Sequence, residues 1–182
     1  MNIIGLLGKA RSGKDTTGDY LLNKLPNSIS LSYAYPLKKE VSSMLDISIE
    51  QLDYYKNNNI LYDNTNIRKL LQDTGTKNRV NNDLYYVKLL NNKIEECINK
   101  GYTNIIITDV RFIVEADELR RFGGSRATIV KLDRDHKEIK ESNHSSEQEI
   151  DSIRPDYTIY NNRTLDSLYT KVDTIIKHIY HS

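Results

Sequence analysis

A second cysteine is missing from this sequence. Cys97 stands alone, so no internal disulfide can form, and the chain fits a reducing, cytoplasmic setting. Cys97 falls on the apolar side of a predicted helix and reads as a small buried hydrophobe rather than a reactive thiol. An excess of charge is missing too. Twenty-six Lys and Arg oppose 25 Asp and Glu, so bulk charge gives no reason to expect a nucleic-acid partner, although a local polyanion-binding surface remains compatible. No apolar run approaches the ~20 residues that span a bilayer, so no membrane partner is expected. No signal-peptide pattern precedes the first apolar run, Ile3–Leu7. No second histidine or cysteine lies at ligand spacing from His144, so His144-Ser145-Ser146-Glu147 reads as a helix cap at Ser145 or Ser146, not a metal site. Tryptophan is absent while tyrosine is abundant, a bias from which no function follows. Internal repeats and linkers are absent as well, so residues 1–182 read as one domain large enough for a proper core.

What is present begins at Gly8-Lys9-Ala10-Arg11-Ser12-Gly13-Lys14-Asp15-Thr16. The stretch follows an apolar strand-like run and opens a segment, Thr16–Leu25, that reads as a helix. Strand, glycine-bounded loop, Gly-Lys and helix form the layout of a phosphate-binding P-loop. Gly8 and Gly13 permit backbone angles that let successive N–H groups point inward at phosphate oxygens. The helix start adds unpaired donors and a partial positive charge. Lys14 adds a full charge that can reach outer phosphates. Gly8, Ala10, Ser12, Gly13, Lys14, Asp15 and Thr16 are therefore the expected nucleotide-binding residues. One position departs from the usual pattern: Asp15 stands where Ser or Thr normally helps to hold magnesium.

Further along, Ser28–Tyr33 alternates with period two and reads as a second strand. Pro36 suits the first turn of a helix through Leu37, Val41 and Leu45. Ser48 followed by Gln51 predicts a capped helix over Ser48–Tyr55, with loop from Asn57 to Asn64. Thr65–Gly75 reads as a helix with Gly75 as its stop signal. Leu84, Val87, Leu90, Ile94, Cys97 and Ile98 recur on one helical face. Asn104–Asp109 is a continuous apolar run closing on a carboxylate, which predicts a parallel strand buried on both faces. Val114–Phe122 reads as a helix, Ala127–Leu132 as a fourth strand and Tyr157–Tyr160 as a fifth. Leu165 to Ile179 carries a wide apolar stripe that predicts a final helix packed on the sheet. The region of about 35–80 reads as an insertion of short helices, and Arg134–Glu149, charged and polar, as a mobile surface excursion. This alternation implies an α/β fold in three layers, a five-stranded parallel sheet with helices on both faces, whose ligand lies beyond the carboxyl ends of the strands.

Several charged residues fall at that edge. Asp15 can orient magnesium, with the Thr16 hydroxyl nearby, or can serve as a first-turn carboxylate favoured by the helix dipole. Arg11 can reach a transferred phosphoryl group or remain a solvated loop charge beside Lys9. Asp109 can polarise a magnesium-bound water, and Arg111 can clamp an acceptor phosphate in bidentate fashion; the competing reading is a structural ion pair between the two. Arg134 can close onto the nucleotide if the excursion acts as a lid over about 134–149. Arg68 and Arg79 flank the expected acceptor side, and either can hold the acceptor phosphate or be an exposed helix charge. Tyr54, Tyr55, Tyr62, Tyr85 and Tyr86 favour a planar base as part of the acceptor.

Ser12-Gly13-Lys14-Asp15-Thr16-Thr17 resembles the P-loop of phage-type deoxynucleoside monophosphate kinases, which carry Asp after the P-loop lysine. Arg68-Lys69-Leu70-Leu71-Gln72-Asp73-Thr74-Gly75-Thr76 with Val80-Asn81-Asn82 and Tyr86-Val87-Lys88-Leu89 is similar in order and spacing. So are Asp109-Val110-Arg111 with Glu115, and His144–Glu147. The phosphomevalonate kinase family shares the Gly-Lys-Asp loop and a Leu-x-x-x-Gly-Thr stretch. The resemblance implies a nucleoside-monophosphate-kinase-like P-loop fold with a lid, using ATP and Mg2+ to phosphorylate a deoxynucleoside monophosphate. Lys14, Arg11, Arg111 and Arg134 would act on the transferring group. Arg68, Asp109 and Arg111 would bind the acceptor, and Asp15 and Asp109 would organise the metal. A small phosphorylated metabolite as acceptor, or a nucleotide-binding module without catalysis, are the alternatives. A homodimer is compatible with the sequence.

Overall fold

A computed structural model describes residues 1–135 and 149–181. In chain order the elements are β1 (Asn2–Leu7), α1 (Lys14–Lys24), β2 (Ser28–Leu31), α2 (Ala34–Leu45), α3 (Ile49–Asn58), α4 (Ile67–Asn81), α5 (Tyr85–Asn99), β3 (Asn104–Val110), α6 (Ile113–Gly123), β4 (Ala127–Asp133), β5 (Tyr157–Tyr160) and α7 (Leu165–His181). The five strands form one parallel sheet in the order β2-β3-β1-β4-β5. β1 is the middle strand, and the chain runs to one side of it for β2 and β3 and to the other for β4 and β5. The carboxyl end of β1 is therefore the switch point at which such sheets bind ligands.

The chain divides into two compact units, Met1–Ser32 with Asn91–Ser182, and Tyr33–Leu90. In the first, period-two alternation sends the β1 side chains to opposite faces. Ile4 and Leu6 join Ile106, Val130, Leu132 and Ile159 on one face, covered by Leu21 of α1, Leu25 just after it, and Leu168, Val172 and Ile175 of α7. On the other face Gly5 makes room for α6, since a Cβ there would stand 3.1 Å from Leu119 Cδ1 and 2.8 Å from Ile129 Cδ1. Asn91 on α5 hydrogen-bonds Glu118 on α6. Helices thus cover both faces, as the sequence pattern implies. Cys97 is buried and free, as its helical position indicates.

The second unit has its own core of Val41, Leu52, Ile67 and Leu71, and the expected insertion of about 35–80 falls within it. The cap expected at Ser48 is present in full: the Gln51 N–H donates to Ser48 Oγ at 3.2 Å, and the Ser48 N–H to Gln51 Oε1 at 2.9 Å. Three local expectations are corrected. β2 ends at Leu31 because the chain turns there and buries Tyr33, the N-cap of α2. α3 continues through Asn57 and Asn58 and stops at Asn59, whose left-handed φ of 55° ends the helix. Gly75 does not stop α4, which runs on to Asn81. A Cβ at Gly75 would stand 3.2 Å from Leu37 Cδ2, so this glycine lets α4 approach α2 closely.

Of the lid expected over about 134–149, only Arg134, Asp135 and Glu149 are described; His144, Ser145, Ser146 and Glu147 lie outside the described residues. Among the described residues no helix is long and apolar enough to cross a membrane.

Candidate active site

β1 ends at Leu7, and residues 8–13 turn back over the sheet edge before α1 begins. Gly8 is buried with φ 152°, and a Cβ there would overlap the Leu132 carbonyl at the end of β4. Arg11 holds a left-handed φ of 60°, and Gly13, with φ 104°, is the N-cap of α1. The Ser12 N–H donates to the Lys9 carbonyl at 3.2 Å, closing a turn inside the loop. Lys14 is only 8% exposed, because its side chain folds back across the loop. Its Nζ donates to the Gly8 carbonyl at 2.7 Å and the Lys9 carbonyl at 2.9 Å. Ser12 Oγ is buried with no hydrogen-bond partner among the described residues. Asp15 is exposed in the first turn of α1 and Thr16 half-buried beside it.

α1 itself lies close on β3. A Cβ at Gly18 would stand 2.8 Å from Thr108 Cγ2, so only glycine allows this separation. Where β1 pairs with β3, Gly5 faces Ile107 but Leu7 faces Val110, so β3 carries one extra residue at Thr108-Asp109. Such bulges re-aim side chains at strand ends. Asp109 is half-buried there, and its Oδ2 accepts a 2.7 Å hydrogen bond from the Ser32 hydroxyl at the end of β2. The competing reading of Asp109 and Arg111 as a mutual ion pair has no counterpart among the salt bridges of the described residues. Arg111 is exposed, and its position is set through its backbone. Glu115, 2% exposed, accepts from the Arg111 N–H at 2.8 Å and the Phe112 N–H at 3.2 Å, capping α6.

The topology brings Lys14, Arg11, Asp15, Asp109, Arg111 and Arg134 to the carboxyl edge of one sheet. The loop follows β1, Asp109 and Arg111 close the adjacent β3, and exposed Arg134 follows β4 on the other side. Arg68 belongs to the second unit, exposed on α4, with Nη2 donating to the Lys56 carbonyl at 3.4 Å. In that unit Arg79 stacks its guanidinium over the Tyr86 ring, 5.0 Å from the centroid. Tyr86 is 2% exposed, and its hydroxyl accepts from Asn78, which also donates to Glu40. Burial, the leading cause, pushes the Tyr86 hydroxyl pKa up. Tyr86 is thus a packed network residue rather than an open surface for a base, whereas Tyr54 and Tyr85 are exposed.

Three residues at the first unit's loop escaped the sequence reading. Ser32 holds Asp109. Asp151 pairs with Lys131 at 2.9 Å and with loop residue Lys9 at 3.2 Å; these cations, Lys131 first, hold its carboxyl below the ordinary value. Asn161, buried after β5, donates from Nδ2 to the Ser12 carbonyl at 2.9 Å. For Ser32 and Asn161 the available signal was position: a polar residue directly after a parallel strand sits at the ligand edge.

Among the described residues no group of three or more His, Cys, Asp or Glu is arranged to hold a metal alone. The arrangement offers two carboxylates, Asp15 and Asp109, and a hydroxyl, Thr16. That donor set suits a hard cation that takes its other ligands from phosphate and water.

Comparison with known proteins adds sequence and fold likeness. A family model described as deoxynucleotide monophosphate kinase matches residues 46–172. A protein of Acanthamoeba polyphaga mimivirus, provisionally described as a deoxynucleotide monophosphate kinase, is 30% identical over 194 residues, covering 94% of each chain. The deoxynucleotide monophosphate kinase of Escherichia phage RB69 is 23% identical and is covered in full by 97% of this chain. Among solved structures, a sugar kinase from Janibacter superposes with TM-score 0.53 at 14% identity, over 97% of this chain and 95% of that one. Shikimate kinase from Acinetobacter baumannii does so with TM-score 0.50 at 15% identity, over 100% and 94%. These two likenesses concern the fold alone.

Proposed function

The chain belongs to the deoxynucleotide monophosphate kinase family, and from that premise we propose that it transfers the γ-phosphoryl group of ATP to the phosphate of a deoxynucleoside monophosphate. Of the two acceptors compatible with the sequence, the family match favours the nucleotide over a small phosphorylated metabolite. The observation that carries the reading is a glycine-bounded loop, with Lys14 lying across it, at the switch point of the sheet and beside Asp109 on the neighbouring strand.

The loop suits a triphosphate. Gly8 and Gly13 hold the φ values of 152° and 104° that glycine permits in such a loop, the start of α1 favours anions, and the Ser12 hydroxyl is buried without a partner among the described residues. Gly8, Ala10, Ser12 and Gly13 supply donors to the donor phosphates, and Lys14 bridges the outer ones. Asp15, Asp109 and Thr16 are the residues that would hold Mg2+. When bound, that ion neutralises charge on the β- and γ-phosphates. Arg111 holds the acceptor phosphate, and Asp109 orients it. A phosphate oxygen of the acceptor attacks the γ-phosphorus while the bond to the β,γ-bridging oxygen breaks, leaving ADP and a deoxynucleoside diphosphate. Negative charge spreads over the equatorial oxygens in this step, and Arg11, Arg134 and Lys14 oppose it.

Continuous measurement of ADP release with each deoxynucleoside monophosphate tests the reading. Acceptor-dependent release with at least one of them is expected. A rate that none of them raises above the ATP-only background would overturn it.

A further inference from the structure

Asn161 does not belong to the loop, yet it touches the loop at its tightest point. Its Nδ2 donates to the Ser12 carbonyl at 2.9 Å, a buried contact between residues 149 positions apart. Its own N–H donates to the Asp133 carbonyl at 2.6 Å, which fixes it to the end of β4. The amide also lies directly against Gly13, where any Cβ would overlap Nδ2. Asn161 is therefore held on the buried side of the loop by its own backbone, by Ser12 and by Gly13.

The Ser12 carbonyl and the Gly13 N–H belong to the same planar trans peptide, so they point in opposite directions. Drawing the carbonyl down toward Asn161 turns the Gly13 N–H up, away from the core. A peptide flanked by glycine rotates easily, and Gly13 already sits at φ 104°, so the loop's own torsions do not forbid the flipped state. That state would aim a carbonyl oxygen where the loop should offer a donor, and two acceptors facing each other repel. Only a donor side chain can prevent this, and the Asn amide supplies one where an ionised carboxylate could not.

We infer that Asn161 is a positioning residue that locks the Ser12–Gly13 peptide, so that the Gly13 N–H is presented to a phosphate oxygen of the donor nucleotide. The inference rests on the phosphate-site reading above and deepens it by naming what keeps the loop in its binding form. It acts on the phosphates, not on the nucleoside or the acceptor.

Calorimetric titration of wild type, Asn161→Asp and Asn161→Ala with ATP, inorganic tripolyphosphate and adenosine tests this, beside steady-state kinetics and thermal melts. Loss of one oriented donor to a charged phosphate predicts about tenfold weaker binding. ATP and tripolyphosphate should weaken by the same factor and adenosine not at all. The KM for the deoxynucleoside monophosphate should stay within about twofold. Asn161→Asp should lose more than Asn161→Ala, because its carboxylate faces the Ser12 carbonyl. It also keeps the side-chain volume, so it carries the measurement if the alanine variant does not fold. Weakened ATP with unchanged tripolyphosphate would assign Asn161 to the nucleoside and overturn the lock. Unchanged binding of both would overturn it too, as would loss of fold in both variants. If wild type itself binds neither triphosphate, the phosphate-site reading falls and the lock with it.

Discussion

Replacing Lys14 by Met keeps most of the side-chain stem and removes one positive charge with its three donors. Two terms oppose each other in the stability of the variant. The Gly8 and Lys9 carbonyls lose hydrogen bonds of 2.7 Å and 2.9 Å from an ammonium, each worth about 1.5–3 kcal/mol. Against that, an ammonium that is 8% exposed no longer has to be desolvated, which returns an energy of similar order. A net loss of about 1–2 kcal/mol remains, or about 2–8 °C in Tm for a chain of this size. Domains of this kind hold about 5–15 kcal/mol, and even 3 kcal/mol left over keeps less than about 1% unfolded. The variant should therefore be folded at 25 °C. Removing a positioned charge from a transferring phosphoryl group costs much more in rate, about 2.7–4 kcal/mol or 10²–10³ in kcat. Unfolding cannot produce a loss of that size here. Steady-state ADP release at saturating ATP and acceptor, beside a thermal melt, separates the two effects. A folded variant turning over within threefold of wild type would refute the reasoning.

Gly18→Ala places a methyl group 2.8 Å from Thr108 Cγ2, and the overlap of helix on strand should outweigh the helix-propensity gain of about 1 kcal/mol; a urea midpoint above that of wild type would contradict this. Ser48→Ala removes half of the α3 capping box and should cost about 1 kcal/mol, read as a lower urea midpoint at unchanged slope. Asp151 has its carboxyl depressed, chiefly by Lys131 and then by Lys9, so its contribution is present above the unfolded value near 3.8 and is lost as pH falls through the lower folded value. Because its side chain is 54% exposed, Asp151→Asn should cost only about 0.2–1 kcal/mol at pH 7 and nothing at pH 2; an equal cost at both would show that charge is not the cause.

The parts of this molecule that the sequence reveals are those determined by near neighbours. The Ser48–Gln51 cap spans three residues, and it is found where the pattern puts it. The run Asn104–Asp109 announces a strand buried on both faces, because Ile105, Ile106 and Ile107 in succession must each be covered whichever face they take. The misreadings have a common cause. Gly75 looks like a helix stop, yet its role depends on Leu37, 38 positions earlier and in another helix. Tyr86 looks like one of several rings for a base, and only tertiary packing turns it under Arg79 and against Asn78. The phosphate loop is legible because its chemistry is local, from Gly8 to Thr16. What holds the loop is not, since Asn161 and Asp151 reach it from beyond residue 149.

The central claim is transfer to a nucleotide rather than to water or another acceptor. ATP labelled in its γ-phosphate, incubated with the protein, Mg2+ and each deoxynucleoside monophosphate in turn, distinguishes these by where the label goes. The account predicts label in the β-phosphate of a deoxynucleoside diphosphate, with little in free phosphate. Label that stays in ATP, or appears only as inorganic phosphate whichever monophosphate is present, would contradict it.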